Sequence, residues 1–255
     1  MSKKYLFFDI DGTLTDSNPG GKILDSTFRT LDKLRQNGHF VAIATGRAQW
    51  MAKEFAQLSK IDNLVTDGGN GITLNGKVKY IKPLDFNKAV TLIDECINKQ
   101  LPYAVVLDNS PVLYSNTSSV LNCQIHGQLK YDPELDFHHV KEIFKIFIYL
   151  SEKQEKQLEH LNGLDHMRYF GDHLIVEPTD KYQGILDMIE MIGGNKEDIV
   201  VFGDGHNDYS MIKQAPISIA MGNAKDELKE IATFVTKRND DDGIEYACKH
   251  FGWID

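Results

Sequence analysis

The sequence predicts an α/β protein with a parallel sheet that is interrupted by an inserted α+β domain. Short apolar runs with β-favouring residues alternate with helical periodicities at both ends of the chain. Such alternation indicates parallel strands joined by right-handed crossovers. In the middle of the chain the pattern changes to hairpins and antiparallel strands. We therefore expect a core domain formed by residues 1–82 and 181–255, and an inserted domain formed by residues 83–180.

The first part of the core begins with the β-favouring run YLFFDI, which is followed by a turn at Asp11-Gly12. Apolar residues then recur at helical spacing until Gly38. The pair Asn75-Gly76 suits a two-residue type I′ hairpin turn. The expected elements are strands at 5–10, 39–44 and 63–66, helices at 25–37 and 48–58, and hairpin strands at 72–74 and 77–80.

The middle and the end of the chain differ in their patterns. For the insertion we expect a helix at 86–99, strands at 103–107, 112–115 and 144–150, a helix at 151–161, and a hairpin around Gly171. For the second part of the core we expect a helix at 181–192, strands at 199–202 and 217–220, and helices starting at 207 and 224.

The composition favours a soluble enzyme that acts on small molecules. The 255 residues carry a formal net charge of -9, and such a surface repels nucleic acids and anionic membranes. The apolar run after Lys4 is too short for a signal peptide, and no stretch approaches the ~20 apolar residues of a membrane-spanning helix. Cys96, Cys123 and Cys248 are odd in number and widely spaced, as reduced structural thiols are. We expect a cytoplasmic protein.

The segment Asp9-Ile10-Asp11-Gly12-Thr13 carries the strongest chemical signal. Its two carboxylates follow directly after an apolar strand, at the sheet edge where open α/β sheets bind ligands. Carboxylates so close together repel each other unless a cation or a proton intervenes. The alternative interpretation is a solvated Asp-Gly turn.

Two weaker signals could contribute to the same edge of the sheet. Thr45-Gly46-Arg47 supplies a hydroxyl group and backbone N–H groups at the start of a helix, which suits an anion but also suits a simple helix cap. Lys181 begins the helix that follows the insertion. A cation is unfavourable at that end of the helix dipole, which suggests another purpose, although a solvated surface lysine is the alternative.

The segment Gly203-Asp204-Gly205-His206-Asn207-Asp208 follows the apolar run IVVF and supplies hard oxygen ligands. Such ligands suit Mg²⁺ or Ca²⁺ rather than Zn²⁺. The segment is similar to part of an EF-hand loop, but the glutamate at position 12 of that loop is missing. We therefore predict half of a Mg²⁺ site and assign His206 to the loop itself.

In this order, the motifs DxDGT, TGR, Lys and GDxxND resemble those of the haloacid dehalogenase (HAD) superfamily. The insertion resembles the C2 (type IIB) cap of the Cof-like phosphatases, and residues 220–224 and 239–243 are also similar to that subfamily. Tyr182 stands where the family usually has glycine. The resemblance covers the whole chain and implies a Rossmann-like core, a cap that closes over the site, and Mg²⁺-dependent hydrolysis of small phosphorylated metabolites such as sugar phosphates.

The resemblance also implies roles for individual residues. Asp9 would attack phosphorus and form an aspartyl-phosphate, while Asp11 would act as general acid and then as general base. The phosphoryl group would be bound by Gly12, Thr45, Gly46, Arg47, Lys181 and Asn207, with Thr45 and Lys181 also counted as catalytic. The residues of the Mg²⁺ site would be Asp9, the backbone carbonyl of Asp11 and Asp204 as ligands, with Asp208 in the outer shell orienting the waters of the ion. Arg47 could equally well contact the substrate or support the loop.

Two other functions use the same residues. A phosphotransferase or phosphomutase would pass the phosphoryl group from Asp9 to a sugar rather than to water. A regulatory protein would bind a phosphorylated ligand without turnover, although such a protein would not need a nucleophile paired with an acid. The nucleophile motifs alone do not separate the first alternative from a hydrolase.

Overall fold

The computed structural model describes residues 2–255, with the side chains of residues 169 and 170 outside the described part. The chain divides into two compact units. The core unit comprises Met1–Ile81 and Asp180–Asp255, and the inserted unit comprises Lys82–Thr179. Each junction falls one residue before the position that we expected from the sequence.

The described residues form strands and α-helices with the following bounds. The strands are β1 (Tyr5–Phe8), β2 (Phe40–Ala44), β3 (Leu64–Thr66), β4 (Gly71–Leu74), β5 (Lys77–Ile81), β6 (Tyr103–Val106), β7 (Val112–Ser115), β8 (Gln128–Tyr131), β9 (Lys145–Ile148), β10 (His166–Phe170), β11 (His173–Val176), β12 (Ile199–Gly203), β13 (Ile217–Ala220) and β14 (Phe234–Val235). The helices are α1 (Asp25–Gln36), α2 (Gln49–Ser59), α3 (Phe86–Asn98), α4 (Glu152–Glu155), α5 (Lys181–Met191), α6 (Tyr209–Gln214), α7 (Asp226–Ile231) and α8 (Gly243–His250).

The core unit is built on a sheet with the strand order β14-β13-β12-β1-β2-β3-β4-β5. The strands from β14 to β3 are parallel, whereas β4 and β5 extend the sheet as an antiparallel hairpin. Asn75 and Gly76 both have positive φ (51° and 72°), as a type I′ turn requires.

Both faces of this sheet are buried under helices. Because side chains alternate along a strand, Leu6 and Phe8 of β1 join one apolar cluster with residues of α1, α2 and α8. Phe7 joins a second cluster with residues of α5, α6 and α7. Helices on both faces of a mostly parallel sheet confirm the predicted Rossmann-like α/β core.

The inserted unit contains a sheet with the order β10-β11-β9-β6-β7-β8. Its neighbouring strands are antiparallel except for β7 and β8, which are parallel. Helix α3 packs its apolar face on this sheet, and Leu92, Ile93 and Cys96 are fully buried there. Within residues 2–255 we find no helix with the length and apolar character needed to cross a bilayer.

Four elements depart from the expected secondary structure, including the two-residue strand β14 (Phe234–Val235), which was not predicted. The helix expected at 151–161 is a single turn, α4, which begins with a capping box between Ser151 and Gln154. Strand β8 was not predicted, because its sequence QLKY is largely exposed and lacks an apolar alternation. Helix α8 was also not predicted, although its Ile244, Ala247 and Cys248 are buried in the core.

Candidate active site

Three buried carboxylates meet at the carboxyl edge of the core sheet. Strands β1 and β12 are parallel neighbours, with Phe8 opposite Phe202, so Asp9 and Asp204 emerge side by side. Asp208 lies in the turn that precedes α6. One oxygen from each of the three carboxylates lies within 4.8 Å of the other two. The sequence-distant motifs therefore converge on one site, hereafter the carboxylate cluster.

The Lys181 ammonium group lies within the carboxylate cluster. Its Nζ atom donates to Asp9 Oδ1 at 2.7 Å and to Asp208 Oδ1 at 2.6 Å. The Lys181 side chain is 1% exposed, which is rare for a lysine unless it is paired. Its place at the first position of α5 is unfavourable for the helix dipole, and the two carboxylates offset that cost.

The carboxylate cluster holds an excess of negative charge, since three carboxylates face one ammonium group. Burial and the charge of Asp208 raise the pKa of Asp9 well above its usual range, while Lys181 opposes the increase. Burial and Asp208 also raise the pKa of Asp204 to about 7. For Lys181, burial disfavours the charge, but Asp208 and Asp9 outweigh burial and raise the pKa. The site is therefore built to accept further positive charge.

The donor set suits a magnesium ion. Carboxylate oxygens are hard ligands, which Mg²⁺ prefers, and a divalent cation would offset the excess negative charge. The proposed ligands Asp9 and Asp204 lie together with the proposed outer-shell residue Asp208 in the carboxylate cluster. The backbone carbonyl of Asp11 accepts from Asn18 Nδ2 at 3.3 Å, and its role as a third ligand remains a prediction.

The Asp11 side chain is not one of the three carboxylates of the cluster and forms an ion pair with Arg47. Arg47 Nε lies 2.7 Å from Asp11 Oδ2, and Arg47 Nη2 lies 2.7 Å from Asp11 Oδ1. The backbone N–H of Gly20 donates to the same Oδ1 at 2.6 Å. Of the two roles that we left open for Arg47, this contact corresponds to supporting the loop that follows β1.

Gly12 and Thr13, in the turn after Asp9, lie close to the Asp204 side chain. Gly12 adopts φ +82°, and a Cβ atom there would lie 2.3 Å from Asp204 Oδ2. Thr13 Oγ1 donates to Asp204 Oδ1 at 2.8 Å. Both the backbone conformation and the close approach therefore require glycine at position 12.

The remaining predicted residues lie in neighbouring turns. Thr45 begins the turn after β2, is 1% exposed, and accepts from the backbone N–H of Arg47 at 3.1 Å through its Oγ1 atom. Gly46 and Asn207 are partly exposed in their turns. His206 pairs with Glu227 at 2.7 Å on the surface, where both side chains are exposed.

Two asparagines that we did not assign to the site support the loop after Asp9. Asn223 Nδ2 donates to the carbonyl of Gly12 at 2.8 Å, and Asn239 Nδ2 donates to the carbonyl of Thr15 at 2.8 Å. The two residues are also joined, since the Asn239 backbone N–H donates to Asn223 Oδ1 at 3.0 Å. We had noted both segments only for their similarity to a subfamily. A polar residue just after a buried strand was the available signal for Asn223.

Comparisons with known proteins identify the family. The sequence profile of the haloacid dehalogenase-like hydrolases matches residues 6–247. The chain is 34% identical over 260 residues to the Bacillus subtilis (strain 168) protein named "Putative phosphatase YkrA", with 100% of both chains covered.

Two further relatives have more specific names. The 5-amino-6-(5-phospho-D-ribitylamino)uracil phosphatase YitU of the same organism is 27% identical over 273 residues, with 98% of each chain covered. The crystal structure described as the HAD subclass IIB sugar phosphatase BT4131 is 29% identical, with 99% of this chain and 100% of that chain covered and a TM-score of 0.80. The chain belongs to the haloacid dehalogenase superfamily of hydrolases, in its Cof-like subfamily.

Proposed function

We propose that this protein is a Mg²⁺-dependent phosphatase that hydrolyses sugar phosphates and similar small phosphate monoesters through an aspartyl-phosphate on Asp9. The observation that carries the proposal is the buried contact of Asp9 with Lys181, next to Asp204 and Asp208. A carboxylate held beside a fixed cation can approach a phosphate dianion that a lone carboxylate would repel. Membership of a hydrolase family and the phosphatase names of its relatives support the same reaction class.

In the first step a carboxylate oxygen of Asp9 forms a bond to phosphorus, and the bond from phosphorus to the ester oxygen breaks. The leaving oxygen takes a proton from the carboxyl group of Asp11, two residues further along the chain. In the second step water attacks the same phosphorus atom and gives a proton to Asp11, while the bond from phosphorus to the Asp9 oxygen breaks. Free phosphate and the Asp9 carboxylate result, so the covalent intermediate divides one difficult reaction into two.

Lys181 stabilises the charge that shifts onto the phosphoryl oxygens. An ammonium group has three N–H donors, and two of those of Lys181 are directed to Asp9 and Asp208. The third donor remains for a phosphoryl oxygen. Because both carboxylates hold Nζ in place, the positive charge of Lys181 is already positioned before the reaction begins.

Asp9, Asp204 and the backbone carbonyl of Asp11 would hold the magnesium ion, and Asp208 would orient its waters from the outer shell. When bound, Mg²⁺ would neutralise charge on the phosphoryl group and help to align it with the nucleophile. Thr13 fixes the orientation of Asp204 through its hydrogen bond to Oδ1, and the backbone N–H groups of Asp204 and Gly205 fix Asp208 Oδ2 at 2.9 Å and 3.0 Å. These contacts orient both carboxylates before any ion binds.

The substrate class rests on the relatives rather than on the site. One relative is named a sugar phosphatase and another is a phosphatase of a phosphorylated ribitylamino compound. We extend these names to sugar phosphates in general, since the residues proposed to bind the phosphoryl group would contact only the group that all monoesters share.

The test is phosphate release from p-nitrophenyl phosphate and a panel of sugar phosphates, with Mg²⁺ and with EDTA. We expect release that needs Mg²⁺ and that falls by at least about 10⁴-fold in Asp9→Asn. Asp198→Asn is the matched control, because Asp198 makes only peripheral contacts with Lys4 and Asn195 in the same unit. Retained activity in Asp9→Asn would refute the nucleophile assignment. Transfer of the phosphoryl group to an added sugar, without phosphate release, would favour a phosphotransferase.

A further inference from the structure

The contact between Asp11 and Arg47 is more specific than a surface ion pair. Two parallel N–H···O bonds of 2.7 Å join the guanidinium group to both carboxylate oxygens of Asp11. Each side chain is 20% exposed, and the Gly20 N–H adds a third donor to Asp11 Oδ1. Such bidentate pairs fix the orientation of a carboxylate as well as neutralise its charge.

Arg47 is held in place independently of Asp11. Its backbone N–H donates to Thr45 Oγ1, and its carbonyl accepts from the Asp67 N–H at 2.9 Å. The guanidinium carbon lies 4.8 Å from the centroid of the Phe55 ring, within cation–π distance. The arginine is therefore a fixed support, and Asp11 is the partner whose orientation it determines.

We infer that Arg47 is a positioning residue, which acts on the reaction through Asp11 rather than through the phosphoryl group. This inference rests on the proposed function, in which Asp11 gives a proton to the leaving oxygen and later takes one from water. The two hydrogen bonds from Arg47 and the third from the Gly20 N–H hold both oxygens of the Asp11 carboxyl group, so that Asp11 keeps one orientation through both steps.

The inference predicts that the importance of Arg47 depends on the leaving group. A p-nitrophenolate ion departs without a proton, whereas the alkoxide of a sugar needs one. Loss of the Arg47 pair should therefore affect kcat/KM for a sugar phosphate strongly and kcat/KM for p-nitrophenyl phosphate weakly. An arginine that bound the phosphoryl group directly would affect both substrates equally.

The experiment compares Arg47→Lys with the wild type on both substrates. Lysine keeps the positive charge but cannot donate two parallel N–H···O bonds to one carboxylate. We expect kcat/KM to fall by about 100-fold for a hexose phosphate and by less than about 5-fold for p-nitrophenyl phosphate, given the size of general acid catalysis. A burst of p-nitrophenolate should appear as the second step becomes limiting. Arg238→Lys is the matched control, since Arg238 also contacts both oxygens of one carboxylate, that of exposed Asp240.

Two further measurements keep the test decisive. In an Asp11→Asn background, Arg47→Lys should produce little additional loss of kcat/KM for the sugar phosphate. If the two residues acted independently, their fold-losses in kcat/KM would multiply. Arg47→Ala should regain sugar phosphate hydrolysis when guanidinium is added at a non-denaturing concentration. Equal losses on both substrates, multiplicative effects with Asp11→Asn, or no rescue of folded Arg47→Ala would overturn the inference. A wild-type protein that hydrolyses neither compound would refute the proposed function itself, and the inference with it.

Discussion

Replacing Lys181 with methionine tests how the buried carboxylate cluster is stabilised. Methionine has a similar length but no charge, so the substitution removes the cation that lies 2.7 Å from Asp9 and 2.6 Å from Asp208. The three side chains are at most 4% exposed, so water cannot replace the lost interaction. Removing one partner of a buried ion pair costs about 3–5 kcal/mol, and we expect this loss in the free energy of unfolding at pH 8 without divalent cations.

Tryptophan fluorescence during urea denaturation measures this loss. Both tryptophans of the chain, Trp50 and Trp253, lie in the core unit, so their signal reports on the unit that contains the site. Lys4→Met is the matched control: its partner Asp198 is 23% exposed, and such a pair contributes at most about 1 kcal/mol. Mg²⁺ should narrow the difference between Lys181→Met and the wild type. Equal stability of the two lysine variants would refute the argument that Lys181 compensates buried charge.

Three other substitutions test the surroundings of the site. Asp204→Asn should raise the stability of the metal-free protein at pH 8 by on the order of 2 kcal/mol, because the pKa of Asp204 is raised to about 7 and its ionised form is therefore disfavoured in the folded protein. It should also abolish stabilisation by Mg²⁺, since it removes a proposed ligand. Thermal melts with and without Mg²⁺ measure both effects, and a destabilised metal-free variant would contradict the charge argument. Gly12→Ala should lower both the melting temperature and the rate of phosphate release, since its Cβ atom would collide with Asp204; unchanged values for both would show that the turn can relax. His39 accepts a hydrogen bond from the Lys4 backbone N–H through Nδ1, and burial lowers the pKa of His39 below 6.5 in the folded protein. The contribution of neutral His39 to stability is therefore complete above pH 6.5 and is lost as the pH falls through the folded pKa. Urea denaturation between pH 7.5 and about pH 5 should therefore show a steeper loss for the wild type than for His39→Asn, which does not titrate, by at most about 1.4 kcal/mol per pH unit; parallel curves would contradict this assignment.

Much of the core could be predicted from the sequence because its strands are short apolar runs separated by strong turn signals. The run YLFF is buried throughout as β1, and Asn75-Gly76 forms the turn between β4 and β5. Strand β8 could not be predicted in this way, because its pairing with β7 rather than its own apolar pattern makes it a strand. The expected helix at 151–161 has helical spacing, but the chain after α4 instead supplies backbone N–H groups of residues 159 and 160 to the buried Glu95 carboxylate.

In the candidate site, too, the sequence predicted the location of the residues but not all of their contacts. The motifs placed Asp9, Asp204, Asp208 and Lys181 at one edge of the sheet, because that edge is where parallel strands end. The choice of partners could not be read from the sequence. Asp11 could have turned toward Asp9, yet it pairs with Arg47, which is 36 residues away. The support that Asn223 gives to Gly12 spans 211 residues and depends on how β13 and β1 are arranged in the sheet.

The covalent intermediate on Asp9 is the central claim, and its direct detection is the most informative measurement. Protein mixed with p-nitrophenyl phosphate and Mg²⁺ is quenched in acid during turnover and analysed by peptide mass spectrometry. Asp11→Asn is included to slow the second step, because p-nitrophenolate leaves without a proton and the first step therefore does not need Asp11. We predict a mass increase of one phosphoryl group on the peptide that contains Asp9, in the presence of Mg²⁺ and not in EDTA or in Asp9→Asn. Phosphate release without a phosphorylated Asp9, or with the phosphoryl group on another residue, would contradict the account.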